Sequence, residues 1–406
     1  MVFAGGNLIA TGLRLVGSLV LYRVVSPATL GAFQGLTLPQ SYISPLHLGV
    51  PDGLTRELPL ALGRGDRLRA EMLAAAAGWW VGAVSAVACA AGLCLAVVFA
   101  CRGDTQAAVA WVVNSVAFVS ILYGGGYLQA TFRTSSEFRA LATKAVLEAL
   151  ILLAGVLLVW ALDFFGLAGR ALLAAAFSLA YLWMNRPFRV RPRWSRSLLL
   201  QMWRVGFPIL VNNAVLVWWA ALDRTLVLTW LGTRELGLYS VALLTSSTIA
   251  QFPQAFAQVA YPSLAFDYAG AGEPGDVIRG AWRSCLVPFL VSTAIAAVAW
   301  PALPYVLQII APQYMEALAA TRWAAISSIP LSFSPARVAL YVLGKPWRSL
   351  VASVVGVGTY GAALALLGEQ SLSLADFPKA LLVGQSATVA VTAGLHWLEL
   401  RRTDRG

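Results

Sequence analysis

Asn185-Arg186-Pro187-Phe188-Arg189-Val190-Arg191-Pro192-Arg193-Trp194-Ser195-Arg196 carries five arginines in twelve residues and no acid. It opens the longest charged gap in the chain, 185–204, which divides 406 residues nearly in half. On each side lie about six apolar stretches, each near the roughly 20 residues that cross a bilayer as a helix. The twelve expected spans are 3–22, 31–51, 72–100, 106–128, 140–162, 167–184, 205–231, 237–262, 284–309, 318–342, 349–368 and 378–398.

Outward from 185–204, basic residues recur in every second gap. Arg56, Arg64, Arg67 and Arg69 follow the second span, Arg133 and Arg139 the fourth, Arg279 the eighth, and Lys345 and Arg348 the tenth, while Arg401, Arg402 and Arg405 close the chain. About twenty of the 29 Lys and Arg fall in these even gaps or the tail, and only a few in the odd gaps. Positive charge is retained on the cytosolic side, so the pattern predicts a polytopic protein with both ends in the cytosol. Arg14 interrupts the first span, and no small-residue cleavage site follows it, so that segment reads as a retained helix.

Composition supports this class. Hydrophobic residues make up 59% and charged residues 12%, with mean hydropathy +0.74, where a soluble domain carries about 25% charged residues. The net charge of +11 is spread over loops rather than clustered on one face, which excludes nucleic acid as the partner. Trp111, Trp160, Trp230 and Trp300 fall at expected outer ends and Trp183, Trp203, Trp282, Trp347 and Trp397 at inner ends, where an amphipathic ring is favoured. Trp79, Trp80, Trp218 and Trp219 fall inside spans and are expected to face a cavity or a neighbouring helix. Cys89, Cys94, Cys101 and Cys285 lack zinc-ligand spacing and behave as small hydrophobes.

The halves echo one another. Ser26-Pro27-Ala28-Thr29-Leu30-Gly31-Ala32-Phe33 follows the first span and Leu231-Gly232-Thr233-Arg234-Glu235-Leu236-Gly237-Leu238-Tyr239 the seventh; both close on Leu-Gly with an aromatic residue two positions later. Leu58-Pro59-Leu60-Ala61 and Tyr261-Pro262-Ser263-Leu264-Ala265 mark the next inner end in each half. An even number of spans per half inserts both in the same orientation, related by an axis along the membrane normal. The expected fold is all-α, with a six-helix lobe over 1–184, the basic linker 185–204, and a six-helix lobe with a basic tail over 205–406.

Charges inside spans are costly and mark sites or partners. Arg14, Arg224 and Arg337 are the substrate candidates, since guanidinium grips phosphate with paired charge-assisted hydrogen bonds. Lys144 and Glu148 have the spacing of an intrahelical ion pair, and Arg322 lies one turn from an outer end. Asp223 and Arg224 point about 100° apart on a helix and cannot neutralise each other face to face, so at least one of them is expected to pair across helices. Asn212, Asn213, Gln251, Gln254 and Gln258 could bond sugar hydroxyls or neighbouring helices, and the three glutamines share one helix face. Pro253, Pro262, Pro330 and Pro335 can bend the eighth and tenth spans.

No G-x-x-x-x-G-K-[ST] run is present; Gly344-Lys345 is followed by Pro346. With no nucleotide site and no other cofactor implied, energy is expected from an ion, Na⁺ or H⁺, with Asp223, Glu148 and His47 as carriers, or from the substrate gradient alone. The acids of the outer gaps, Asp104, Asp163, Glu235, Glu316, Glu369 and Asp376, show no pairing for acid–base or metal chemistry, which argues against a membrane glycosyltransferase or polymerase.

The outer turn at 26–33, Asp223-Arg224 with the run 231–240, and Phe252-Pro253 leading to 260–265 are similar to stretches of the polysaccharide flippases of the multidrug/oligosaccharidyl-lipid/polysaccharide exporter superfamily, the Wzx-like translocases. The resemblance covers most of the chain. It implies two six-helix lobes in a V around a hydrophilic cavity, moving a polyprenyl-diphosphate-linked oligosaccharide across the inner membrane of a bacterium for O-antigen or exopolysaccharide synthesis, beside a polymerase and glycosyltransferases. The nearer rival is an ion-coupled drug antiporter of the same superfamily, which the arginine excess disfavours.

Overall fold

Within hydrocarbon a backbone must satisfy its own hydrogen bonds, and a helix does so without leaving an edge. In the computed structural model every regular element among the described residues is helical. The structure describes residues 2–135, 137–269, 273–368 and 371–403, and side chains within these except at 2–5, 8, 258–269, 346 and 402–403. Close packing divides the chain into two units, 1–221 and 222–406.

The first unit contains α1 (Val2–Val24), α2 (Pro27–Thr37), α3 (Val50–Gly63), α4 (Arg67–Cys101), α5 (Thr105–Val119), α6 (Gln129–Thr134), α7 (Phe138–Ala154), α8 (Val156–Met184) and the first part of α9 (Arg196–Trp230). Helix α1 packs on α7, α4 on α5 and α3, and α5 on α8. Alanines 70, 74, 76 and 77 of α4 are buried, as expected where small residues let helices approach closely. Ser26 caps α2: its hydroxyl accepts from the Thr29 amide at 3.1 Å, and the Thr29 hydroxyl donates to Asp163 at 3.1 Å. Asp163 has φ 47° and ψ −114°, a sharp break inside α8 that separates the expected fifth and sixth spans.

The second unit contains the end of α9 with α10 (Thr233–Ala269), α11 (Pro274–Arg283), α12 (Leu286–Ile310), α13 (Leu318–Ser327), α14 (Ser334–Val342), α15 (Pro346–Leu367) and α16 (Asp376–Thr403). Helix α15 packs along α16, and α10 packs on α12, α13 and α14. Helices α2 and α10 begin inside the two matching stretches, at Pro27 and Thr233, so Leu30-Gly31 and Leu236-Gly237 stand in the first turns of these helices rather than closing the turns before them.

Each expected span corresponds to helix, with three corrections, the first being that 140–162 is divided at Gly155 between α7 and α8. Segment 31–51 is not one helix: α2 runs into 3₁₀ turns at Leu38–Tyr42 and Ser44–His47, then Leu48 (φ 52°) and Gly49 (φ 80°) reverse the backbone before α3. Segment 318–342 likewise breaks at Ile329–Phe333, where Pro330 and Pro335 lack the amide hydrogens that a continuous helix needs. Helix α10, by contrast, continues through Pro253 and Pro262. Seven helices among the described residues are long and apolar enough to cross a membrane: Arg67–Cys101, Thr105–Thr134, Val156–Met184, Arg196–Trp230, Pro274–Ile310, Trp347–Leu367 and Asp376–Arg401. The chain is a multi-pass membrane protein, all-helical among the described residues.

The packing boundary falls at 221/222, inside α9, whereas the sequence places the start of the second lobe at 205. The beginning of α9 is locked to α3. A Cβ on Gly206 would lie 1.8 Å from the Gly49 carbonyl oxygen, and one on Gly53 would lie 2.0 Å from that of Met202, so only glycine permits this approach. Arg69 and Glu57 both bond Gln201, at 3.2 and 2.5 Å, tying α4, α3 and α9 together.

Candidate functional site

In the first unit α1 and α7 bring three charges together. Lys144 Nζ lies 2.8 Å from Glu148 one turn away, and Arg14 reaches the other carboxylate oxygen at 4.0 Å. The Lys144–Glu148 pair matches its spacing in the sequence. The Arg14 side chain remains about half exposed, at 48%. His47 is buried; its Nδ1 accepts from the Gly49 amide at 3.1 Å and its carbonyl accepts from Trp80 Nε1 at 3.1 Å. It therefore sits as a packed hinge of the broken second span. On α9, Asn212 is buried and Asn213 exposed.

In the second unit Asp223 is buried, and each carboxylate oxygen takes a tyrosine hydroxyl: Tyr239 donates at 2.6 Å and Tyr360 at 2.7 Å. Three helices, α9, α10 and α15, thereby meet at one carboxylate. Arg224 is half-buried and acts on Asp223 electrostatically. Arg337 stands on α14 just past the break at 329–333; it is half-buried, and among the described residues no carboxylate lies within ion-pair distance of it. Gln251 and Gln254 are exposed on α10, and the Gln258 side chain lies outside the described residues.

The outer-gap acids hold structural posts. Asp104 caps α5 through the Ala107 amide at 2.9 Å, and Asp376 accepts from Ser373 and Lys379. Arg234 takes Glu316 in a two-pronged pair at 2.7 and 2.8 Å, which holds the Glu316 carboxyl below the usual carboxylate range. Glu369 lies outside the described residues. No cluster of metal-ligating side chains occurs among the described residues. Arg322 donates to the Trp300 carbonyl at 3.0 Å and lies over its ring, as an interfacial arginine would.

Three charged positions escape the reading of spans one by one. Arg170, inside α8, donates to the Leu152 carbonyl at 2.7 Å and so ties α8 to α7. Lys379 lies 5.8 Å from the Trp323 ring centre. Glu399, buried on α16, pairs with both Lys345 and Arg348. The signal for Arg170 and Lys379 was their charge within an apolar stretch; nothing local marks their partners.

The fold is that of the MOP-superfamily transporters. The chain aligns with the inward-facing conformation of a multidrug resistance MATE family transporter of the MOP superfamily at 14% identity, covering 97% of this chain and 96% of that one, with a TM-score of 0.79. The outward-facing conformation of a multidrug resistance MATE family transporter aligns at 15% identity, 100% and 96% coverage and a TM-score of 0.67. A MOP superfamily transporter from Pyrococcus furiosus, described as having a binding pocket of reversed polarity, aligns at 16% identity, 97% and 95% coverage and a TM-score of 0.63. Residues 68–270, half of the chain, match the model of a family described as polysaccharide biosynthesis protein, and the chain belongs to that family. No curated protein matches it.

Proposed function

We propose that the protein flips a polyprenyl-diphosphate-linked oligosaccharide across the cytoplasmic membrane of a bacterium, beside a polymerase and glycosyltransferases of surface-polysaccharide synthesis. The observation that carries this reading is Arg337, a guanidinium beside a helix break with no carboxylate partner among the described residues. A charge left in a span without a counter-ion is costly, and a diphosphate passing it would supply the missing anion with bidentate geometry. The transporter fold and the polysaccharide family support the same reading, and the reversed pocket polarity described for the Pyrococcus transporter, taken there to suggest a different function, is a precedent for a changed role on this fold.

The antiporter reading asks for carboxylates open to cationic drugs. The two carboxylates singled out within spans are both engaged, Glu148 by cations and Asp223 by hydroxyls, which favours the anionic cargo. Arg224 is assigned to the same cargo as Arg337, with Gln251 and Gln254 as candidates for its sugar hydroxyls, while Arg14, Asn212 and Asn213 are separate candidates of the first unit. Ion coupling, to Na⁺ or H⁺, is assigned to Asp223 ahead of Glu148 and His47, because its two donors are neutral and can reorient around a bound cation.

The test is the sidedness of lipid-linked oligosaccharide in inverted membrane vesicles, read with a membrane-impermeant glycan probe in cells with and without the protein. Accumulation on the cytosolic face only when the protein is missing is the expected result. Unchanged sidedness with a shortened glycan would point to an enzyme instead, and no glycan phenotype would move the antiporter ahead.

A further inference from the structure

Two features of the first unit lie end to end. One is a groove of about 480 Å³ along α4, lined by Gly82, Ser85, Ala86 and Cys89 and walled by Val119 and Tyr123. The Ser85 hydroxyl is turned back to the Val81 carbonyl at 2.6 Å, so the lining offers hydrocarbon rather than free polar groups. Tyr123 stands in a π-helical segment, Ser120–Leu128, that interrupts the helix across from α4.

The other feature is the basic segment 185–196. The Tyr123 ring lies 5.9 Å from that of Trp183, and the Arg186 guanidinium lies 3.9 Å from the Trp183 ring centre while donating to the Trp183 carbonyl at 2.7 Å. One end of the groove thus leads through Tyr123 and Trp183 to a cation that meets no carboxylate among the described residues. Beyond it the chain is pinned across the unit: the Arg193 amide donates to the Ala75 carbonyl at 3.1 Å, and Trp194 meets Trp79 edge-on at 4.7 Å. Arg189, Arg191 and Arg193 occupy alternate positions and are all exposed. In an extended backbone such positions recur about every 7 Å on one side.

An apolar groove ending at a ring-stacked guanidinium and a row of arginines has the chemistry of a lipid with an anionic headgroup. We propose that this face of the first unit is a specific site for an anionic phospholipid, with one acyl chain in the groove and the phosphate on Arg186. Exposed Trp183 and Trp194 set the segment at headgroup depth, where indole rings are favoured. The length of the groove selects the source of the phosphate. From Gly82 to Leu93 a helix rises about 17 Å, close to one leaflet of a hydrocarbon core about 30 Å thick, so the groove fits an acyl chain and not a carrier lipid much longer than a leaflet.

The experiment titrates the delipidated, full-length protein with dioleoyl phosphatidylglycerol or dioleoyl phosphatidylcholine and counts bound lipid by native mass spectrometry. Arg186→Gln is expected to weaken phosphatidylglycerol binding about tenfold, the loss of a charge-assisted contact, and phosphatidylcholine binding clearly less, because the choline ammonium already offsets that lipid's phosphate. Ala86→Phe, which fills the groove at an exposed position, is expected to lower both lipids. Arg102→Gln, at the opposite end of α4, should change neither. Equal phosphatidylglycerol binding by the parent protein and Arg186→Gln overturns the proposal even if Ala86→Phe fails to fold. So does undecaprenyl diphosphate displacing phosphatidylglycerol at equal concentration, which would give the groove to the carrier lipid.

Discussion

Two carboxylates embedded in the protein are satisfied in opposite ways. Glu148, in the first unit, sits between Lys144 and Arg14, so its charge is met by charge. Asp223, in the second, is fully enclosed and receives two neutral phenols from α10 and α15. A carboxylate neutralised by cations that stay partly exposed stiffens a pair of helices at modest energy. One held by neutral donors in a buried position joins three helices, and losing it strands two hydroxyls away from water. The second arrangement is the one suited to a structural pivot.

The largest effect expected from breaking this contrast is at Asp223. Asp223→Ala leaves the Tyr239 and Tyr360 hydroxyls buried without their acceptor and should cost about 3 kcal/mol, seen as a lowered Tm in detergent. Asp223→Asn keeps one acceptor oxygen and should cost about 1 kcal/mol. Equal melting of both variants and the parent would remove Asp223 as the pivot. Next comes Gly206→Ala, a packing change with no charge involved. Its Cβ would meet the Gly49 backbone, which cannot swing aside, so a loss of about 2 kcal/mol is expected, with α3 and α9 separating first by hydrogen exchange.

Glu148→Gln should be milder, about 1 kcal/mol or less, because the pair is partly exposed. A loss as large as that of Asp223→Ala would erase the distinction between the two carboxylates. The smallest effect is at Arg234–Glu316. The arginine holds Glu316 below its ordinary value near 4.3, so the pair's contribution is complete above that pH and disappears as pH falls through the lowered value. Glu316→Gln should therefore melt like the parent protein in strong acid and slightly below it at neutral pH.

Much of this architecture is legible in the sequence because hydrocarbon imposes simple rules. Runs of about twenty apolar residues suffice to place most of the helices. Breaks are harder to foresee. Pro330 and Pro335 announce the one at 329–333, but Leu48 adopts a left-handed backbone that its side chain does not advertise. Site chemistry is least legible where partners are distant in sequence. Tyr239 stands in a stretch quoted for its turn, yet its bond to Asp223 depends on how α9 and α10 pack, and Tyr360 joins from 137 residues away. Arg170 shows the converse: an intramembrane charge that reads as a site but is spent on a backbone carbonyl.

The most direct measurement is flipping in proteoliposomes loaded with polyprenyl-diphosphate-linked oligosaccharide, comparing the parent protein with Arg337→Gln and Arg337→Lys. Flipping by the parent, with Arg337→Gln losing at least about tenfold and Arg337→Lys recovering part of the rate, is the result expected if a cation meets the diphosphate on its path. Full activity in Arg337→Gln, or none in the parent while a cationic drug is exchanged for an ion, would contradict it.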